Sequence, residues 1–323
     1  MAILHPSSSP SSLRSPRCGL AGWHFPHWDR ILFPVHKPTG FHPLRYLSDY
    51  FDTTEINTSF YQPLKPELTR LWLRTVAHRP DFRFTAKLWR RFTHDRSLLA
   101  DDIERFHEGL RPLAESGKLG CLLMQFPWSF RFTAENRDLF IRLRRAFHAY
   151  PLVAEMRHAS WSCPEALGTF VDYHVGFVNV DQPEMIKAMP PTRFLTSSIG
   201  YVRLHGRNPR DWWSDDNRPG ERLQHNDYLY SPDQLTEWKQ RIQHIRAFAS
   251  DVYVVFNNDI RAQSAVNALQ MQSMLAGVRA QAPEDLHRLY APELRPWVER
   301  PRQQPLFDLP TAAAAAAPRR AVA

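Results

Sequence analysis

Eight short apolar runs recur along the chain, and all but the first end in polar or charged residues. They are Arg17–Ala21, Phe51–Asn57, Phe82–Lys87, Leu119–Gln125, Leu152–Arg157, Val175–Asp181, Tyr201–His205 and Val252–Asn258. Interiors rich in Val, Leu, Phe and Ile are the pattern of parallel strands buried on both faces. Stretches with helical spacing separate most of the runs. Over 98–116, Ile103, Phe106, Leu110 and Leu113 share one helical face; over 231–249, Leu235, Trp238, Ile242 and Ile245 do the same. Ser231-Pro232-Asp233-Gln234 reads as a capping box with proline at the first helical position, and Ser162-Cys163-Pro164-Glu165 as a similar start. Thr133 is placed to cap the helix carrying Phe140, Leu143 and Phe147. Pro66–His78 and Ala262–Leu275 complete the clearer helices. Residues 183–198 hold three prolines and no apolar stripe, which predicts a short helix or none after the sixth strand. Eight strands alternating with helices predict an α/β fold, a (β/α)8 TIM-type barrel, whose active face is built at the C-terminal strand ends.

The 323 residues hold one such barrel of about 250 residues with tails at both ends. We expect a disordered Ser/Pro-rich head at 1–16, a barrel domain at 17–300, and a disordered Pro- and Ala-rich tail at 301–323. The head lacks acidic residues, as transit peptides do, but carries no amphipathic pattern; a misassigned start gives the same composition. A long polar segment, 206–230, with Trp212, Trp213 and Tyr228, follows the seventh strand and is expected either to cover the site or to form a variable surface loop. Three cysteines, odd in number and without a CxxC pair, argue against a disulfide framework and against standard zinc or iron–sulfur motifs. They point to a reducing, cytoplasmic setting, and no apolar stretch is long enough to span a membrane. The net charge of +8, with only six Lys among 41 basic residues, permits an anionic partner, nucleic acid included. No RRM, zinc-finger or helix-turn-helix signature accompanies it, so nucleic acid is not the favoured partner.

The strand ends carry the candidate chemistry. Glu55 and Asn57 share one face by period-two alternation, as do Glu155 and Arg157, and Arg203 and His205. Lys87 ends the third run, with His94 in the next loop, and is suited to bind a phosphate or carboxylate or, with a depressed pKa, to form a Schiff base. Gln125, Asp181, Asn257 and Asn258 end other strands; one of the trio Asn257, Asn258 and Asp259 is expected to cap the helix that follows. Trp161 is placed either to stack on a ligand ring or to pack in the core. Gly206 lets the chain turn sharply after His205. Four acids (Glu55, Glu155, Asp181, Asp259) and three fixed cations (Lys87, Arg157, Arg203) nearly balance, which fits a paired network around a polar or anionic ligand. No HExxH, P-loop, GxGxxG or GxSxG motif is present.

Several blocks, in order from about 17 to 276, resemble the DUF72 (YecE-like) family. They are Gly19-Leu-Ala-Gly22-Trp23 with Trp28, Glu55-Ile-Asn57-Thr-Ser-Phe60-Tyr61, Phe84-Thr-Ala-Lys87 with Thr93-His94, and Gln125-Phe-Pro127. The rest are Glu155-Met-Arg157-His158 with Ser160-Trp161, Arg203-Leu-His205-Gly206-Arg207, and Phe256-Asn257-Asn258. The resemblance implies a TIM-type barrel with these blocks lining its mouth. The family is one of unknown function, so no reaction or cofactor comes with it. One departure is that Gln263-Ser264 precede Ala265-Val266-Asn267-Ala268, where the family tends to carry a glycine.

These readings lead to an expected enzyme acting on a small anionic, phosphorylated or polyhydroxylated (sugar-like) substrate. Lys87, Arg157 and Arg203 are expected to hold the anion, and Glu55 or Glu155 to act as base with His205 as the acid partner. Asn57, His94, Gln125, Asp181, Asn257 and Asn258 are expected to contribute to binding. Hydrolysis, isomerisation and lyase chemistry all stay open. A subordinate version is a metal-assisted hydrolase using Glu55, Glu155, Asp181 and His205, and the rival class is a non-catalytic ligand- or nucleic-acid-binding protein.

Overall fold

The computed structural model describes residues 14–210 and 226–299. Most of the head, the tail from 301, and Trp212 and Trp213 lie outside the described residues. Eight parallel strands close into a barrel in chain order: β1 (Arg17–Ala21), β2 (Thr53–Ile56), β3 (Arg83–Lys87), β4 (Leu119–Gln125), β5 (Leu152–Glu155), β6 (Gly176–Asp181), β7 (Ile199–Leu204) and β8 (Asp251–Phe256), with β8 pairing back onto β1. The helices are α1 (Pro43–Ser48), α2 (Pro66–Thr75), α3 (Arg90–Thr93), α4 (Ala100–Glu115), α5 (Ala134–Ala146), α6 (Pro164–Asp172), α7 (Pro232–Arg246), α8 (Gln263–Ala276), α9 (Glu284–Leu289) and α10 (Ala291–Leu294). The apolar core lies between the sheet and these helices, where Phe, Leu, Val and Trp side chains are buried.

The fold agrees with the (β/α)8 expectation, and the differences have local causes. Asn57, Arg157, His205, Asn257 and Asn258 stand just past their strands, because the ladder ends one or two residues before the polar run. β7 starts two residues earlier than the apolar run, at Ile199. Its Gly200 pairs with Val252, and a Cβ there would lie 2.3 Å from the Ile245 side chain. A residue that looks like a strand breaker is therefore what lets α7 lie against the sheet. No helix follows β6. The segment is tied instead by the Asn179 side chain, which accepts from Thr192 Oγ1 and Phe194 N, both at 2.7 Å.

The helix starts behave as their chemistry requires, with two exceptions. Thr133 accepts from Asn136 N, and Ser231 with Gln234 completes a capping box. In α6 the N-cap is Cys163, without a side-chain bond, and Ser162 Oγ donates to Ala159 O instead. Nor does any of Asn257, Asn258 and Asp259 cap a helix through its side chain; the chain enters α8 through Arg261 and Ala262, both left-handed (φ 52° and 61°).

Gly19 illustrates how tightly β1 meets its neighbour. It pairs with Thr53, and a Cβ at that position would sit 1.9 Å from the Thr53 carbonyl oxygen. Gly19→Ala is expected to cost about 3 kcal/mol, at the upper end of overpacking effects, read as a lowered urea midpoint. An unchanged midpoint would show that β1 shifts without penalty.

Candidate functional site

Alternation along the strands sends every second side chain inward, and at the C-terminal end the inward residues are charged. β7 carries the centre of the cluster. Arg203 reaches Glu55 of β2, Gln125 of β4 and Glu155 of β5, none of which neighbours β7, so these contacts run across the barrel interior. Its five N–H groups are matched by five acceptors. Nε donates to Glu55 Oε2 (3.1 Å), and Nη2 to Glu55 Oε1 (2.8 Å) and Asn257 Oδ1 (3.3 Å). Nη1 donates to Glu155 Oε2 (2.9 Å) and Gln125 Oε1 (3.2 Å). Arg203, Glu55 and Glu155 are fully buried. Two carboxylates in that setting are tolerable because one fork of fixed donors satisfies both.

The fork also fixes the state of His205. The Glu155 carboxylate only accepts, so the His205 Nε2 atom, 3.2 Å from Glu155 Oε1, carries the proton; Arg203 Nη1, also 3.2 Å from Nε2, has its two N–H groups on Glu155 and Gln125. Asn257 gives its oxygen to Arg203, which turns its Nδ2 amide toward His205 Nδ1 at 3.2 Å, where the ring nitrogen accepts. The imidazole is thus neutral. Burial, helped by Arg203 and Arg157 and opposed by Glu155, drives its pKa down to about 3. Burial would raise the Glu155 carboxyl, yet Arg203, His205 and Arg157 together hold it well below the usual carboxylate range.

Two cations lie over this buried layer. Lys87 ends β3, its backbone held by Ser59 Oγ donating to Lys87 O at 2.7 Å. Its Nζ lies 3.8 Å from Glu55 Oε1 and 5.4 Å from the centre of the Phe60 ring. Burial lowers its pKa, Arg203 and Arg157 push the same way, and the two glutamates oppose; the result is about 8. Arg157 donates from Nε to Glu155 Oε1 at 3.2 Å. Its carbonyl accepts from Gln182 Nε2 and Met189 N, which secures the β5 end to the segment after β6.

The structure brings together Glu55, Lys87, Gln125, Glu155, Arg157, Arg203, His205 and Asn257. It separates four other residues expected at the site. Asp181 faces outward, on the same side of β6 as Asn179; it accepts from Trp238 Nε1 of α7 at 2.6 Å and from Arg207 at 3.0 Å. Burial raises its carboxyl, offset in part by those donors. Asn258 turns toward α8, donating to Asn267 Oδ1 and Tyr228 O. Asn57 donates to Ala21 O at the end of β1. His94 meets Thr93 Oγ1 and the edge of Phe60, the ring whose face lies under Lys87 Nζ. Asp259, one of the four acids of the expected charge balance, lies 3.5 Å from His27 Nε2 and accepts from Asn226. Trp161 packs: it is fully buried, stacks on Phe130 and donates to Phe130 O.

The metal-assisted version needs Glu55, Glu155, Asp181 and His205 to converge, and they do not. Asp181 is on the outer face, and Arg203 occupies the space between the glutamates. Among the described residues no group of three or more His, Cys, Asp or Glu side chains is arranged to hold a metal ion. Sequence reasoning also missed Tyr201, whose hydroxyl donates to Glu55 Oε2 at 2.9 Å and meets Thr85 Oγ1 at 3.0 Å. The signal was present as the i, i+2, i+4 stripe Tyr201, Arg203, His205 on one strand face.

The comparisons agree with this architecture. A family model described as "Protein of unknown function DUF72" matches residues 17–300. The UPF0759 protein YunF of Bacillus subtilis (strain 168) is 27% identical over 273 residues, covering 80% of this chain and 93% of that protein. The crystal structure of a DUF72 family protein from Thermotoga maritima shares 29% identity at a TM-score of 0.71, over 81% of this chain and 100% of that one. A DUF72 family protein from Enterococcus faecalis shares 27% identity at a TM-score of 0.65, over 73% and 88%. No helix among the described residues is long and apolar enough to cross a membrane. With the closed parallel barrel, the polar blocks at its mouth and a match running through all eight strands, the chain belongs to the DUF72 family.

Proposed function

We propose that the barrel mouth binds a small anionic or polyhydroxylated molecule and that the protein is an enzyme acting on it. The observation that carries this reading is the layering of charge. Glu55, Glu155 and Arg203 are wholly buried, whereas the Lys87 and Arg157 side chains are 12% and 19% exposed. With His205 neutral, the cluster sums to one positive charge, and its solvent-facing part is cationic. An approaching ligand meets that cationic part first, within a low-dielectric mouth that strengthens its attraction for an anion. Arg203 is removed from the set expected to hold the anion, because a ligand would have to displace one of its five partners. The anion is left to Arg157 and Lys87, and Glu55, next to Lys87, is the carboxylate placed for proton transfer. The low pKa of Glu155 makes it a weak base at neutral pH.

Inorganic phosphate tests the reading. Wild-type protein is expected to bind it at millimolar concentration in a 31P NMR titration. Lys87→Gln with Arg157→Gln is expected to weaken binding at least about ten-fold, the loss of one or two charge-assisted hydrogen bonds. The Glu155–Arg203 bond survives in that variant, so its melting temperature serves as the folding control. Equal phosphate binding by the double variant, with an unchanged melting temperature, would sink the assignment.

A further inference from the structure

The microenvironment of Lys87 asks for more than anion binding. An ammonium has three donors, and Lys87 Nζ makes no hydrogen bond to any described residue. Its nearest anion, Glu55 Oε1 at 3.8 Å, already accepts from Arg203 Nη2 at 2.8 Å, and Glu55 Oε2 is taken by Arg203 Nε and Tyr201. The partner that would keep the lysine charged is thus largely neutralised by a better donor. On another side stands the face of Phe60, and Arg203 and Arg157 supply positive potential that opposes protonation. Lys118, the other lysine with a lowered pKa, lacks this arrangement, because its ammonium donates to the carbonyls of Arg79 and Pro80. A part-buried amine short of protein hydrogen bonds and beside other cations is the setting that turns a lysine into a nucleophile.

We propose that Lys87 captures a carbonyl compound. Its ε-amine forms an imine with an aldehyde or ketone that also carries a carboxylate or phosphate, and Arg157 holds that anionic group beside it. The inference rests on the proposed anion-binding mouth and names the reactive class of its substrate. The neutral amine attacks the carbonyl carbon, making the C–N bond, and the carbonyl π pair moves to oxygen, which takes a proton. The resulting carbinolamine loses its hydroxyl as water, leaving a protonated imine. Aldehyde or ketone plus ammonium gives iminium plus water, with no change of oxidation state. The Lys87 side chain is part-exposed, so the ammonium proton that must leave before attack passes to solvent water, and the departing oxygen takes its proton back from the same source.

Reductive trapping tests this directly, because the chain has only six lysines: Lys37, Lys65, Lys87, Lys118, Lys187 and Lys239. The full chain is treated with glyoxylate and cyanoborohydride at neutral pH, and carboxymethyl adducts are mapped by peptide mass spectrometry over time. Lys87 is expected to label at least about ten-fold faster than exposed Lys65, because a pKa lowered to about 8 leaves an appreciable share of its amine neutral at that pH. Inorganic phosphate is expected to slow Lys87 alone, and Lys87→Arg to remove that adduct while the other five label as before. A Lys87 rate no greater than that of Lys65, in protein that still binds phosphate, overturns imine formation and leaves the anion site standing. Fast labelling of Lys87 in protein that neither binds phosphate nor is protected by it overturns the anionic substrate class and the mouth reading with it.

Discussion

Arg203→Ala is expected to abolish the folded barrel at room temperature, or to leave it so weakened that it unfolds in low urea. The substitution removes one guanidinium and strands two fully buried carboxylates, Glu55 and Glu155, together with the amide oxygens of Gln125 and Asn257. Removing one partner of a buried pair typically destabilises by about 3–5 kcal/mol, because the remaining charge is left uncompensated. Here two acids lose the same partner, so a loss of about 5 kcal/mol or more is expected, comparable with the whole stability of many domains. Arg203→Lys should rescue little, because three donors on one nitrogen cannot reach five acceptors spread over four side chains. The decisive variant is the triple change Arg203→Met, Glu55→Gln and Glu155→Gln. Without the two charges the site no longer needs the guanidinium, and much of the lost stability is expected to return. Urea unfolding followed by circular dichroism reads all three. A loss below about 1 kcal/mol in Arg203→Ala, the size of an exposed pair, would mean that water reaches both carboxylates.

The same residues show how far the sequence could be read. The barrel was legible because strands buried on both faces leave continuous apolar runs, and because all but the first ended in polar residues at a fixed place in the βα repeat. Inward-facing partners were legible in two of the three pairs that stood two apart, Glu155 with Arg157 and Arg203 with His205; Asn57, two after Glu55, lies past the end of β2 and turns to Ala21 O instead. What period two does not supply is the phase. Asp181 sits at a strand end like the others, yet its alternation class is that of Asn179, which binds the crossover backbone, and so it points to Trp238 of α7. The Asn257–Asn258 step divides for the same reason, one facing Arg203 and the other Asn267. Pairing across the barrel was not legible either. That Arg203 would be consumed by acids from β2 and β5 depends on side-chain reach over a closed sheet, which a linear pattern does not encode.

The state of His205 gives the second large effect, through the pH dependence of stability. Burial holds its folded pKa at about 3, whereas in the unfolded chain it titrates near 6.5. Below pH 6.5 the unfolded chain therefore binds a proton that the folded protein refuses. The stability due to neutral His205 is complete above 6.5 and is lost as pH falls toward 3, by about 1.4 kcal/mol per pH unit. Glu155, also held low, has the same sign, but its loss begins only below the ordinary carboxyl value of 4.5. The window from 6.5 to 4.5 thus reports His205 apart from Glu155, and about 3 kcal/mol should disappear across it. His42 and His158, whose pKa values are lowered by burial first, contribute in the same direction, so the comparison must be with a variant. His205→Gln keeps an N–H for Glu155 and an acceptor for Asn257 but does not titrate. Its stability, lower at neutral pH, should approach that of wild type as the pH drops, with the two curves converging by about 1.4 kcal/mol per unit. Parallel curves would instead require a protonated imidazole in the folded cluster. Its Nδ1–H would then oppose the Asn257 amide, and the amide could turn its oxygen to the ring only by withdrawing it from Arg203.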